Sequence, residues 1–281
     1  MSRLPFIKMH GIGNDYVYVD AFAHRVKDPA ALSRRLSPRR TAIGGDGLIL
    51  IAPSAVADCR MEMYNADGSR GEMCGNGIRC VAKYAYEHER TRANPMRVET
   101  DAGIKTLTLH LDGGCVKAVT VDMGAPILDG PQIPVAAEGS VVDMPFAIDG
   151  ETFRITCVSM GNPHCVVFRE DVETMKLEQI GPRFEHNPFF PKRVNTEFVR
   201  LDSPRELTMR VWERGSGETA ACGTGACAVV VAAVLTGRAE RQATVHLPGG
   251  DLTIEWRADD DHVYMTGPAE EAFHGEVEVE E

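Results

Sequence analysis

Long hydrophobic runs are missing from this 281-residue chain. The longest, Ala226 to Leu235, is ten residues, too short to cross a bilayer as a helix. It reads instead as a buried helix. The first residues, MSRLPFIKMHGIGN, hold no apolar block of the kind a secretory signal carries. Positive charge is also scarce. Thirty Lys and Arg stand against 41 Asp and Glu, a formal net charge of −11. That argues against a broad basic face for nucleic acid. Cys-x-x-Cys is absent and the nine His show no metal-ligand spacing, so no structural metal is expected. Eight Cys in a long chain without a signal read as reduced thiols and a cytoplasmic protein rather than a disulfide framework.

What is present is a phrase written twice. Met73 to Cys80 reads MCGNGIRC, and Ala221 to Cys227 reads ACGTGAC. Cys222 lies 148 positions after Cys74. The same offset carries Gly13-Asn14 onto Gly161-Asn162, Tyr64-Asn65 onto Trp212-Glu213, and Gly75 and Gly77 onto Gly223 and Gly225. Further on the register drifts: VDMGAP (121–126) resembles VYMTGP (263–268) only with small insertions. Common glycines repeating by chance do not hold one register over so many special residues. The expected architecture is therefore α+β, with two pseudo-symmetric half-domains. One spans residues 1–125 and the other 126–267.

Within each half, strands are expected to wrap one central helix, with an active site in the cleft between the halves. Ile78, Val81, Ala82 and Ala85 follow i, i+3, i+4, i+7, so an amphipathic helix follows Cys74. It should end before Asn94-Pro95. The run from Ala226 is apolar all round, so that helix should be enclosed, with Gly237 as its stop. Thr106 to Leu111 and Val116 to Val121 read as strands around Asp112-Gly113-Gly114. Thr244 to Leu247, Leu252 to Trp256 and His262 to Met265 read likewise around Pro248-Gly249-Gly250 and Asp259-Asp260-Asp261.

Cys74 and Cys222 both fall where a helix should begin. Unpaired N–H groups and the helix dipole favour negative charge there, and a thiol so placed is more readily a thiolate. The glycines beside each let a ligand approach the backbone, and the N–H groups of Gly75, Asn76, Gly223 and Thr224 form an anion site. Two such sites around one small carboxylate would set a thiol on each side of its α-carbon. One thiolate removes the α-proton and the other thiol returns a proton to the opposite face, inverting the centre without a cofactor or metal. Donors aimed at the carboxylate stabilise the carbanion more than the ground state. A single Cys is more often a small buried apolar residue. That reading is applied to Cys59, Cys80, Cys115, Cys157, Cys165 and Cys227. Neither loop has the Lys-Ser/Thr of a P-loop, which argues against nucleotide.

These residues resemble the diaminopimelate epimerase family over nearly the whole chain. The resemblance runs through KMHGIGNDYVYVD, YNADGSRGEMCGNGIRC, ETDAGIKT, VSMGNPHCVVF, VNTEF, WERGSGETAACGTGACA and LPGGDL. It implies interconversion of L,L- and meso-diaminopimelate without cofactor, in lysine and peptidoglycan precursor synthesis. It implies Cys74 and Cys222 as the acid/base thiols, with the N–H groups of Gly75, Asn76, Gly223 and Thr224 at the reacting carboxylate. It also implies a homodimer, and a tail (268–281) that returns to the first half. The symmetry should break to read the distal amino-acid centre: Asn65 matches Glu213, Ala66 matches Arg214, and Gly47 matches Asn195. Arg214 with Asn65, Asn162 and Asn195 is expected to hold the distal carboxylate and Glu213 the distal ammonium. Asn14 is expected near the reacting amine. Asn14 and Asn162 also suit a turn. His164 supports a neighbour or is a satisfied core histidine. Gly47 stands where some relatives carry Gln, and is given no role.

A proline or hydroxyproline racemase-like enzyme would share the fold and both thiols, but its compact ring substrate needs none of Arg214, Glu213 and the three asparagines. A related isomerase or dehydratase would lack one of the cysteines. A non-catalytic amino-acid-binding module would have no use for the thiol pair, which is prone to oxidation.

Overall fold

The computed structural model describes residues 2–279. In chain order the elements are β1 (Ser2–Gly11), β2 (Asn14–Asp20), α1 (Pro29–Leu36), β3 (Gly47–Ala52), β4 (Cys59–Asn65), β5 (Arg70–Gly71), α2 (Gly75–Glu87), β6 (Met96–Thr100), β7 (Gly103–Asp112) and β8 (Cys115–Asp122). There follow β9 (Met144–Ile148), β10 (Glu151–Ser159), β11 (Pro163–Phe168), α3 (Leu177–Glu185), β12 (Asn195–Ser203), β13 (Glu206–Glu213), β14 (Gly217–Thr219), α4 (Gly223–Leu235), β15 (Gln242–Leu247), β16 (Gly250–Trp256), β17 (Val263–Gly267) and β18 (Glu270–Val279). The chain divides into two compact units. One holds residues 1–121 and 266–281, the other 122–265.

In the first unit, β1 and β2 pair antiparallel, β2 and β3 parallel, β3 and β4 antiparallel, β4 and β6 parallel, and β6, β7 and β8 antiparallel in turn. The second unit repeats that order. β10 and β11 pair antiparallel, β11 and β12 parallel, β12 and β13 antiparallel, β13 and β15 parallel, and β15 and β16 antiparallel. One more strand lies on the outer side of each opening hairpin, β18 against β1 and β9 against β10. The architecture is α+β with two topologically equivalent halves.

The repeat is exact at the helices: α2 and α4 are both 13 residues long and their limits differ by 148 at each end. Each runs among the strands of its own unit. α2 packs on β1, β2, β3, β4, β6 and β7, and α4 on β10, β11, β12, β15 and β16. Residues 226–233 of α4 are fully buried; each buried Val there contributes about 1.5–3 kcal/mol. Both helices close the same way. After α4, Gly237 (φ 68) donates to Val234 O at 3.0 Å and Arg238 to Ala233 O at 2.8 Å. After α2, Glu89 (φ 59) donates to Tyr86 O at 3.3 Å and Arg90 to Ala85 O at 2.9 Å. The left-handed residue that a helix end needs is thus Gly in one half and a strained Glu in the other. α2 therefore stops at Glu87, about two turns before Asn94-Pro95.

The turn at Gly113 (φ 57) and Gly114 (φ 86) joins β7 to β8 as the glycine pair requires. Cys59, Cys80, Cys157, Cys165 and Cys227 are buried, but Cys115 is exposed where β8 opens. Packing does not account for Cys115, because strand alternation sends its side chain outward.

Candidate active site

In the first unit Cys74 caps α2. Its backbone is extended (φ −131, ψ 119), and its sulfur accepts the Gly77 N–H at 3.4 Å. The thiol donates to Asn14 Oδ1 at 3.2 Å. Asn14 opens β2, and its amide nitrogen donates to Asp46 Oδ2 at 2.7 Å. That oxygen also accepts the Asp15 N–H at 3.1 Å, while Asp46 Oδ1 takes Arg39 Nη2 at 2.8 Å. Arg39 forks onto Asp15 with contacts of 2.6 and 3.1 Å, and Lys8 meets Asp15 at 2.6 Å. Burial opposes ionisation of Asp15, but Arg39 and Lys8 outweigh it and hold its carboxyl below the usual range. The Tyr16 hydroxyl neighbours Asn14 and Cys74. Burial, with Cys74 and Asp46 beside it, keeps that phenol protonated.

Gly75 and Asn76 form the first turn of α2, and both are buried. The Asn76 side chain is engaged by Arg79, whose Nη1 reaches Oδ1 at 2.9 Å. Arg79 itself is fully buried, with Nε on Pro268 O at 3.0 Å. Its match in α4 is Cys227, so a guanidinium fills in one half what a thiol fills in the other. Asn65 ends β4 with its amide on Ser69 Oγ at 3.0 Å. Gly47 pairs with Asn65, and a Cβ on Gly47 would come 2.0 Å from Tyr64 O. This backbone leaves no room for a longer residue there.

In the second unit Cys222 caps α4 with the same extended backbone (φ −125, ψ 104). Its sulfur lies 3.6 Å from Thr224 Oγ1. Glu213, at the end of β13, takes a short hydrogen bond from the Thr219 hydroxyl. Burial pushes the Cys222 thiol well up, and the Glu213 and Glu197 carboxylates add to the rise. The lowering expected from a helix start is thus overridden here, because desolvation and two nearby acids exceed one helix dipole. Burial raises Glu213 as well, against the opposing pull of Thr219.

Behind Cys222 lies a wholly buried pair, His164 Nδ1 to Glu197 Oε1 at 2.7 Å, with His164 Nε2 on Asn162 Oδ1 at 3.0 Å. A Cβ on Gly225 would stand 2.7 Å from Glu197 Oε1 and 3.2 Å from Cys222 Sγ. That glycine lets carboxylate and thiol share the helix start. Among the described residues, donor atoms of His164, Glu197 and Cys222 lie within 4.8 Å of one another. A thiophilic cation would suit such a set, but both ring nitrogens of His164 already have partners, and the trio reads as an acid/base network. Asn195 is buried, its oxygen taking the Arg214 N–H at 3.0 Å and its nitrogen donating to Pro163 O at 3.1 Å. Arg214 follows on an exposed turn, with Nη1 on Lys192 O at 3.2 Å.

The first unit thus gathers Asn14, Cys74, Gly75 and Asn76 at one helix start, with Asn65 turned onto Ser69. The second gathers Asn162, His164, Glu213, Cys222, Gly223 and Thr224 at the other, and joins Asn195 to Arg214. Sequence reasoning missed Asp46, Arg79 and Glu197. Asp46 lies in the GGDGL segment beside Gly47. Arg79 and Glu197 are charged residues inside regular elements, a pattern that ordinarily marks a solvated face.

The family model described as Diaminopimelate epimerase matches residues 6–128 and 156–271. The chain belongs to that family. The diaminopimelate epimerase of Acetivibrio thermocellus is 55% identical over 279 residues, covering 99% of this chain and 100% of its own. That of Moorella thermoacetica is 56% identical over 279 residues, with the same coverage. That of Methanococcus maripaludis is 51% identical over 277 residues, covering 98% of this chain and 100% of its own. Among solved structures, a PhzF-family phenazine biosynthesis protein of Bacillus anthracis superposes with a TM-score of 0.70 at 16% identity, covering 99% of this chain and 100% of that one. A hydroxyproline epimerase of Agrobacterium vitis, solved with trans-4-hydroxy-L-proline bound, gives 0.67 at 17%, covering 99% and 91%. At those identities the two structures establish the shared fold. Membership in the diaminopimelate epimerase family rests on the family model and the far closer sequence relatives.

Proposed function

We propose that this chain interconverts L,L- and meso-diaminopimelate by proton transfer at one α-carbon, with Cys74 and Cys222 as the two acid/base groups. The observation that carries the reading is a cysteine at the cap of each of two equivalent helices, in a diaminopimelate epimerase family chain. One thiolate takes the α-proton, leaving a carbanion conjugated with the carboxylate. The other thiol protonates the opposite face, so one C–H bond breaks, another forms, and one thiol has become a thiolate in place of the first. N–H groups of Gly75, Asn76, Gly223 and Thr224 hold the carboxylate as its charge grows. Asn14 binds near the reacting amine. His164 orders the surroundings of Cys222. Arg214, Asn65, Asn162 and Asn195 take the distal carboxylate, and Glu213 the distal ammonium.

The reaction runs without a cofactor or metal. The protein is a cytoplasmic homodimer that serves lysine and peptidoglycan precursor synthesis. The domains that act are residues 1–125 with 268–281, and 126–267. No helix among the described residues is long and apolar enough to cross a membrane. Phe273, 47% exposed on β18, is an apolar group suited to a subunit contact.

Incubation with L,L-diaminopimelate in D2O under reducing conditions tests the activity: the α-proton NMR signal should be lost and the meso isomer should appear. Binding without exchange would instead favour a non-catalytic module. Arg214→Lys should raise KM for diaminopimelate at least tenfold, because an ammonium cannot make the forked contact. Turnover of L-proline as fast as diaminopimelate would overturn the distal assignment and favour the ring-substrate alternative.

A further inference from the structure

We infer that Glu185 is a positioning residue for substrate choice: its carboxylate fixes the turn 213–216 so that the Arg214 guanidinium is presented to the distal carboxylate. The inference rests on the proposed role of Arg214. Glu185 is the last residue of α3 and is buried. A carboxylate suits that place poorly, since the C-terminal end of a helix favours cations and burial adds a further cost. Three donors from other parts of the second unit offset it. The Trp212 indole N–H donates to Oε2 at 2.7 Å, and the Gly215 N–H to Oε1 at 2.9 Å. Arg193 Nη1 reaches Oε1 at 3.1 Å. Burial opposes ionisation of Glu185, but the indole and the Gly215 N–H, with His186 and Arg193, outweigh it and hold the carboxyl below the usual range.

Two of those donors bracket Arg214. Trp212 lies near the end of β13, and Gly215 follows Arg214 directly. The Ser216 N–H donates to Glu213 O at 3.1 Å, and Gly215 has φ 80, the left-handed value that the third residue of a type II turn needs. The N–H of that third residue takes no part in the turn's own hydrogen bond and needs a partner elsewhere. Glu185 supplies it. The Arg214 N–H is met by Asn195 Oδ1 at 3.0 Å. The backbone is thus tied on both sides of the Arg214 α-carbon. α3 fixes the indole as well. A Cβ on Gly181 would come 2.3 Å from the Trp212 ring. The indole therefore lies on the helix at Gly181, and its N–H reaches Glu185 on the same face, about one turn further on. The Glu185 charge is answered by Arg193. Among the described residues no carboxylate pairs with Arg214, whose Nη1 rests on Lys192 O at 3.2 Å. Its charge is left for a ligand anion.

The test is a double-mutant cycle in the full chain. It is read as KM and kcat for diaminopimelate, with Kd by calorimetry in parallel and circular dichroism to confirm the fold. Glu185→Ala should raise KM about tenfold and leave kcat within about threefold, the pattern of lost ground-state binding. Kd, which does not depend on turnover, should follow KM. Arg214→Ala should raise both at least as much. The variant carrying both changes should match Arg214→Ala alone, because Glu185 acts through that side chain. An unchanged KM in a folded Glu185→Ala protein, or effects that multiply in the double variant, would mean that Glu185 serves only the fold. Either result overturns the inference while leaving Arg214 as the distal recogniser. An unmoved KM and Kd in Arg214→Ala would instead overturn the distal assignment, and the inference with it. If Glu185→Ala does not fold, Glu185→Gln takes its place. Its amide oxygen accepts one of the two N–H groups and its NH2 faces the other, so KM should rise about threefold when Arg214 is present and not at all in Arg214→Ala. An equal rise in both backgrounds, or none in either, overturns the inference in the same way.

Discussion

Cys74→Ala and Cys222→Ala should each abolish epimerisation, with turnover reduced by at least 10³-fold. A positioned acid or base supplies about 10²–10⁴ in rate, and inversion needs both in one turnover. The failure should be one-sided. With one thiol left, a carbanion can form only from the stereoisomer whose proton faces that sulfur, and the same sulfur returns the proton. Each variant should therefore exchange the α-hydrogen of one stereoisomer with D2O and leave its configuration unchanged. NMR of L,L- and meso-diaminopimelate incubated separately checks this, with circular dichroism to confirm the fold. Inversion close to wild type in either variant would exclude that cysteine as an essential base.

Glu197→Ala should lower stability by about 3–5 kcal/mol, the usual cost of removing one partner from a buried pair. Glu197 and His164 are both fully buried and 2.7 Å apart. Truncation leaves His164 Nδ1 facing a hole at the start of α4, where water has little access. Thermal or urea unfolding reads the loss. Asn162 and His164 would lose their shared orientation as well, so kcat should fall even at temperatures where the variant stays folded. A variant as stable as wild type would show that the pair contributes no net energy. Glu197→Gln, which keeps an oxygen for the ring N–H, should recover much of the stability.

Several features were legible in the residues because they obey strict local rules. The offset of 148 showed in Cys, Gly and Asn residues that turns and helix caps demand, and it recurs in the limits of α2 and α4. Gly237 marked a helix end because left-handed backbone favours glycine. Its counterpart Glu89 gave no such signal, since only the surrounding structure makes a Glu tolerate φ 59. Arg79 and Glu197 were illegible for a related reason. A charged side chain inside an element reads as solvent-facing until its partners, Pro268 in one case and His164 in the other, are seen to come from distant parts of the chain. Asp46 was hidden similarly. Its part depends on Arg39 and Asn14, which are joined by folding and not by spacing. The direction of the Cys222 shift needed the structure too, because burial and two carboxylates are tertiary facts.

The pairing of β18 with β1, which sets Val279 opposite Ser2, has a consequence for how the protein is made. The first unit receives its outermost strand only after residues 270–279 have left the ribosome. Until then the nascent chain carries β1 with one flank open, while the whole of residues 122–265 is still being synthesised. An open strand edge invites pairing with another chain. Loss of β18, far in sequence from either cysteine, should therefore yield aggregates rather than a slightly weakened protein.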